Sequence, residues 1–168
     1  MKLTVRTKAT VSPQLSERLR QAINEAAHAT WQETWEVVLD TMGSPVWQWP
    51  RETVRGRSYD RQGRRTAGRI VGSPRNIVDT GLLRQSGYLT TTGTLASFRF
   101  TLNYATAVHN GAWIYPWGDK TRDRVFLPGR PFLGAILGTT PYPGVEPYPI
   151  AERFRLNLRT AYRSVSGR

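Results

Sequence analysis

The chain has 168 residues, of which 39% are hydrophobic, and its 24 basic and 12 acidic side chains give a formal net charge of +12. Because it has no cysteine, disulfides, cysteine-ligated zinc, iron–sulfur clusters and thiol nucleophiles are excluded. No apolar run approaches the ~20 residues that cross a bilayer, so we expect no membrane contact. We expect a single domain over residues 1–168, in a soluble protein that lacks a signal peptide and is made and kept inside a cell or inside an assembly built there.

The positive charge is concentrated in two segments and consists mainly of arginine. Residues 51–75, the arginine arm, have eight arginines against two acidic residues, and residues 151–168 have five arginines against one glutamate. The arm has too little apolar surface to pack a core, so we expect a long loop or an extended arm. It would reach about 80 Å if fully extended and about half that as a hairpin. The alternative is a disordered, solvated loop.

The first third of the chain predicts a short strand and a long helix. Residues 2–8 alternate polar and apolar, which favours a strand. Ser12 followed by Pro13 is a typical helix start, and apolar residues then recur three or four apart until Gly43. The helix would be about 45 Å long and would pack along a sheet or a neighbouring subunit.

The middle of the chain predicts a short helix and a β-hairpin. Asp79 or Thr80 can cap the helix, which holds two leucines. Residues 87–92 and 96–104 alternate as strands, and Gly93 supplies the turn between them. One face of the second strand would carry Phe98, Phe100, Leu102 and Tyr104.

The remaining segments differ in regularity. Residues 46–49 lie between two prolines and would place two tryptophans on one face if extended, and residues 110–129 predict an aromatic, turn-rich loop. Residues 131–137 predict a short helix that begins at its proline, and residues 139–149 have four prolines and cannot be regular. Residues 150–165 predict an amphipathic helix with Arg155, Arg159 and Arg163 on its polar side.

The fold class is therefore α+β: a small antiparallel β-sheet packed by one long N-terminal helix, with a long basic arm and a C-terminal helix.

Catalytic patterns are absent from the sequence. It has no glycine-rich phosphate loop, and the only candidate imidazole bases are His28, inside the long helix, and His109, for which a hydrogen bond in a turn is expected. Asp119 and Asp123 could pair as carboxylates, but neighbouring cations favour a salt-bridged loop. We expect no catalytic, cofactor-binding or metal-binding residues and no enzymatic activity.

The arginine arm also favours contact with nucleic acid. Its arginines are interleaved with Tyr59 and lie near Trp47 and Trp49, a combination suited to phosphate contacts and base stacking. No compact recognition motif accompanies them, so any contact would be with the backbone and independent of base sequence. A freestanding nucleic-acid-binding protein of this kind is therefore the alternative interpretation.

Three short motif segments follow one another along the chain. They are Asp-Thr-Gly-Leu-Leu-Arg-Gln-Ser at 79–86, Tyr-Ala-Thr-Ala-Val-His-Asn-Gly at 104–111, and Arg-Pro-Phe-Leu at 130–133. In this order, with a hairpin between the first two, they resemble motifs of head–tail connector (neck) and tail-completion proteins of tailed bacteriophages. The family-motif residues are Asp79, Thr80, Gly81, Leu83, Arg84, Ser86, Tyr104, His109, Gly111, Arg130, Pro131, Phe132 and Leu133. The tryptophan-rich loop and the proline segment depart from the pattern and leave the position within the neck open.

The resemblance implies a structural virion protein that is made in the host cytoplasm and located in the neck, at the head–tail junction. Such a protein assembles with itself into a ring, commonly of six subunits, between the capsid connector or stopper and the tail-terminator or tail-tube proteins, and genomic DNA passes through the ring. Ring contacts of this kind are heterologous and close by rotation. The motif residues would then maintain the fold, while Arg51, Arg55, Arg57, Arg61, Arg64, Arg65 and Arg69 would contact DNA in the lumen or a neighbouring subunit.

The arginine arm can be tested by deletion of residues 55–67. Since the segment has little apolar surface to bury, the shortened chain should keep its circular dichroism spectrum and its melting temperature. Assembly of joined particles should fall, as counted by electron microscopy. Normal particle yield with the deletion would refute an essential role for the arm.

Overall fold

A computed structural model describes residues 12–47, 54–55, 62, 69–70, 77, 81–115, 120–121 and 123–166. The chain forms two compact units, with residues 1–32, 91–96 and 149–168 in the first and residues 33–90 and 97–148 in the second. The single domain predicted over the whole chain stays a prediction. The predicted strand at 2–8 lies outside the described residues.

The secondary structure confirms the α+β class. The helices are α1 Pro13–Thr41, α2 Leu82–Gln85, α3 Ala105–Asn110, α4 Phe132–Ile136 and α5 Ile150–Ser166, with a 3-10 turn at Pro45–Trp47. The strands form three two-stranded ladders: β1 Val54–Arg55 with β2 Arg69–Ile70, β3 Gly87–Thr92 with β4 Leu95–Phe100, and β5 Gly111–Ile114 with β6 Val125–Pro128. In the part of the chain that is described, no helix is long and apolar enough to span a membrane.

Helix α1 begins and ends where the sequence predicts. The Ser12 hydroxyl accepts a hydrogen bond from the backbone N–H of Leu15 at 3.2 Å, which satisfies one of the first N–H groups of the helix. At the other end, the Gly43 N–H donates to the Asp40 carbonyl at 3.0 Å, just beyond the last helical residue.

In the first unit, α1 and α5 pack through small side chains. Ala22 and Ala26 of α1 and Ala161 of α5 are buried, and Phe154 and Leu158 of α5 pack against them. Because alanine side chains are small, the two helices approach closely at this contact. The larger Phe154 and Leu158 side chains pack beside it. The apolar side of α5 is therefore used in packing, as its stripe predicts.

Polar contacts align the same elements. The buried Thr30 hydroxyl donates to the Ala26 carbonyl at 2.7 Å and accepts from the Asn157 side-chain amide at 3.1 Å. The indole N–H of Trp31 donates to the Thr94 carbonyl at 3.0 Å, in the turn between β3 and β4. These directional bonds fix the rotation of α1, α5 and the hairpin tip about their axes.

In the second unit, α1 packs on the β3–β4 pair. The Trp35 ring lies 5.7 Å from Phe98 and 5.5 Å from Phe100, and both phenylalanines project from β4. Trp35, Val38, Met42, Trp47, Ile77, Leu83, Phe132, Ala135 and Ile136 form the buried core there. A small antiparallel pair packed by the long helix is what the sequence predicts.

The β3–β4 hairpin corrects one boundary. Gly93 has a φ of 58° and makes the turn, as predicted, but β4 ends at Phe100 rather than continuing to Tyr104. The Ala105 N–H donates to the Leu102 carbonyl at 3.0 Å, which turns the chain into α3. Phe98, Phe100 and Leu102 do pack against one core. Because Leu102 reaches that core from a turn and not from a strand, the apolar alternation overestimates the length of β4.

Two aromatic segments also differ from their prediction. Residues 111–114 and 125–128, predicted as parts of a loop, are the strands of a hairpin, with Trp113 opposite Phe126. Residues 45–47 form a 3-10 turn rather than an extended segment, because Trp47 is fully buried and stacks on Tyr142 with ring centroids 4.5 Å apart. Trp49 lies outside the described residues.

The arginine arm has a paired base. Val54 pairs with Ile70 and Arg55 with Arg69 in an antiparallel ladder, so the two ends of this part of the arm lie side by side. The predicted long loop or extended arm stays a prediction, because most of the arm lies outside the described residues. Arg51, Arg57, Arg61, Arg64 and Arg65 lie outside the described residues, as do Asp79 and Thr80.

The close packing of β3 on α1 generates a stability prediction. A Cβ atom added at Gly87 would lie 2.7 Å from a ring carbon of Phe100 and 2.7 Å from one of Trp35, so both rings would have to shift. Gly87→Ala should lower the free energy of unfolding by about 1–3 kcal/mol. The measurement is urea denaturation followed by tryptophan fluorescence.

Gly43→Ala is the matched control, because its Cβ would meet only the Asp40 carbonyl oxygen at 3.4 Å. That exposed substitution should change the free energy of unfolding by no more than about 0.5 kcal/mol. Equal stability of the two variants would contradict the packing described for Gly87.

Candidate functional site

The motif segments predicted from sequence converge on Phe132. Its side chain is 1% exposed. The rings of Phe100 and His109 each lie 5.3 Å from the Phe132 ring in edge-on arrangements, at interplanar angles of 87° and 78°. Edge-to-face pairs of this kind stabilise a core beyond the area they bury. The second and third motif segments therefore meet inside the second unit.

The third segment is anchored before α4 begins. The Arg130 N–H donates to the Val108 carbonyl of α3 at 2.9 Å, and the Ala135 N–H then donates to the Pro131 carbonyl at 2.7 Å as the helix starts. A proline suits this position because its missing N–H would have no helical partner there. The predicted helix start at Pro131 is confirmed, and it places Phe132 in the first turn.

A glycine pair lets the second and third segments cross. Gly111 has a φ of 82°, and a Cβ atom there would lie 2.8 Å from the Gly129 nitrogen. A Cβ atom at Gly129 would lie 2.7 Å from the Asn110 carbonyl carbon. The two backbones are in direct contact here, so a residue with a Cβ atom would not fit at either position. This steric limit explains why the motif has a glycine at 111.

His109 caps helix α4 from a remote position. The Gly134 N–H, in the first turn of α4, donates to His109 Nε2 at 3.3 Å, and Pro131 supplies no side-chain cap. Since Nε2 accepts, the ring proton is assigned to Nδ1, which donates to Asn110 Oδ1 at 2.6 Å. Both ring nitrogens are engaged, so His109 offers no free base. His109 does hydrogen-bond its neighbour Asn110, but at the end of α3 rather than in the predicted turn, and the cap on α4 is a role that local sequence does not show.

The first motif segment corrects the predicted cap. The residue at the start of α2 is Gly81, in a left-handed conformation with a φ of 79° and without a side-chain capping bond. Leu83 is buried in the same core as Phe132. Ser86 joins α2 to the end of β4, because its carbonyl accepts from the Thr101 N–H at 3.1 Å.

Arg84 and Arg130 connect the motif segments to other parts of the second unit, whereas Leu133 and Tyr104 contribute less to its core. Arg84 makes an exposed ion pair with Asp40 of α1 at 2.9 Å, and an Arg130 guanidinium nitrogen donates to the Trp47 carbonyl at 3.4 Å. Leu133 packs at the edge of the core, whereas the Tyr104 side chain is 41% exposed. The motif set is therefore a structural cluster with an exposed margin.

An exposed aromatic face lies on the β5–β6 hairpin, and sequence reasoning missed it. Trp113 opposes Phe126 in the ladder, and Tyr115 and Arg124 follow two positions further along, so all four side chains share one face. Trp113 is 63% exposed, Phe126 49% and Tyr115 38%. The Trp113 and Phe126 rings are 5.3 Å apart, and the Arg124 guanidinium lies 6.0 Å from the Tyr115 centroid. The sequence does contain a signal for this face: Trp113 and Tyr115 are two residues apart, as are Arg124 and Phe126, the spacing that places side chains on one face of a strand.

The remaining polar candidates are dispersed. His28 is exposed on α1 and Asp123 is exposed before β6, while Asp119 lies outside the described residues. Among the residues described, no group of three histidine, aspartate or glutamate side chains could hold a metal ion.

No protein-family model, curated protein or solved structure matches this chain.

The remote cap can be tested by removing the His109 ring nitrogen. His109→Leu leaves the buried Gly134 N–H without its acceptor, and the loss of such a cap should cost about 1–2 kcal/mol of unfolding free energy. His28→Leu, on the exposed side of α1, is the control and should stay within about 0.5 kcal/mol. Thermal unfolding by circular dichroism measures both. A smaller effect at His109 than at His28 would contradict the capping role.

Proposed function

We propose that this chain is a structural virion protein that forms a ring at the head–tail junction of a tailed bacteriophage. The ring would join the capsid connector or stopper to the tail-terminator or tail-tube proteins around the DNA channel. The proposal starts from the three ordered motif segments and requires no enzymatic activity. The observation that carries it is the contrast between a motif cluster turned into the core and an aromatic face turned to solvent.

The motif cluster supports a scaffold role. Leu83 and Phe132 are buried in one core, and both His109 nitrogens are used in hydrogen bonds. A catalytic site needs groups that remain available to a substrate, with a base or nucleophile in reach. The motif residues instead hold α2, α3 and α4 together, which suits a protein that must keep its shape under assembly.

The aromatic face supports assembly with neighbouring proteins. Monomeric proteins rarely leave a contiguous set of large aromatic side chains open to water, and interface cores are enriched in tryptophan, tyrosine, phenylalanine and arginine. Trp113, Tyr115, Phe126 and Arg124 provide that composition on one hairpin. In a ring, a heterologous contact would cover this face with a different surface of the next subunit.

Substitution of the aromatic face tests this function. Trp113→Ser combined with Phe126→Ser removes the two most exposed rings of the face, and an exposed substitution of this kind should leave the fold intact. In a host producing particles from the variant, joined particles should fall at least tenfold while unjoined heads and tails accumulate. Electron microscopy of the lysate counts all three species.

Leu95→Ser on the β3–β4 hairpin is the matched control, because Leu95 is 73% exposed but belongs to a different hairpin. Particle yield with this control should equal that of the unaltered chain. A double variant that assembles as well as the control would contradict the interface assigned to the aromatic face.

A further inference from the structure

Helix α5 carries an unpaired row of arginines. Arg155, Arg159 and Arg163 follow one another at four-residue spacing, and all three are exposed. With the residues that the structure describes, none of them makes an ion pair or a side-chain hydrogen bond. We refer to these three residues as the arginine row.

The row has a fixed direction. Helical geometry places the three side chains within about 80° of one another, on the side of α5 opposite its apolar stripe. That stripe is held against α1 by Phe154, Leu158 and Ala161. The helix backbone therefore holds the three arginine Cα atoms in a fixed line on the solvent side of α5.

The electrostatics of the helix favour a polyanion. Residues 150–166 contain four arginines and a single acidic residue, Glu152. Unpaired guanidinium groups bind phosphate through two parallel hydrogen bonds. The row rises about 12 Å along the helix axis. Since phosphates of one DNA strand follow each other every 3.4 Å along the duplex axis, it would span about three to four of them.

The packing of α5 distinguishes among polyanions. A helix that binds an anionic membrane inserts its apolar face between lipid headgroups, and that face of α5 is already packed on α1. Evenly spaced cations along a straight helix match the regular spacing of a duplex better than they match a flexible single strand or an acidic peptide. We propose that the arginine row binds the phosphate backbone of double-stranded DNA without reading its sequence.

This inference goes beyond the proposed ring and does not depend on it. The isolated chain should bind DNA through the row whether or not it assembles, and a ring could form without this contact. It also differs from the predicted role of the arginine arm, which remains present in every variant below.

The test compares two triple variants of equal charge. Arg155→Gln, Arg159→Gln and Arg163→Gln remove the row, while Arg20→Gln, Arg99→Gln and Lys120→Gln remove three exposed cations elsewhere. Binding of the full chain to a fluorescent 20-base-pair duplex is measured by anisotropy between about 50 and 200 mM salt. Circular dichroism melting checks that both variants fold.

Loss of the row should weaken duplex binding at least tenfold at low salt and flatten the slope of log affinity against log salt by about 2–3. The control should lose less than threefold. The proposal is overturned if the unaltered chain does not bind the duplex at 50 mM salt, or if the two variants weaken equally. Tighter binding of polyglutamate or of a single strand than of the duplex would also overturn it.

Discussion

The burial of Phe132 is the constraint on which the second unit depends. One aromatic ring is contacted by β4 through Phe100 and by α3 through His109, and α1 and α2 contribute to the same core. The cap that His109 gives to Gly134 holds α4 at the orientation that this burial requires. Ring packing and helix capping therefore reinforce each other, and each would be weaker alone.

Local rules predicted the parts of the fold that are decided locally. Ser12 starts α1, Gly93 turns the β3–β4 hairpin, and Pro131 precedes α4, because each effect depends on neighbours a few residues away. The role of His109 as a cap for Gly134 joins groups 25 residues apart, so no local pattern shows it. The same holds for Trp47, which is buried by stacking on Tyr142.

The exposed residues differ in chemistry from one part of the chain to another. The net charge of +12 is concentrated in the arginine arm and the C-terminal segment, and the structure places part of the second group in the arginine row of α5. The aromatic face, on the β5–β6 hairpin, has a different chemistry that is suited to protein contacts. A scaffold that interlocks protein partners around DNA would need both kinds of surface, and a simple nucleic-acid binder would need only one.

A cryo-EM map of the assembled particle tests the proposed function most directly. We expect this chain to occupy a ring between the capsid connector and the tail, with Trp113 and Phe126 covered by a neighbouring protein. Absence of the chain from the head–tail junction of intact particles would contradict it.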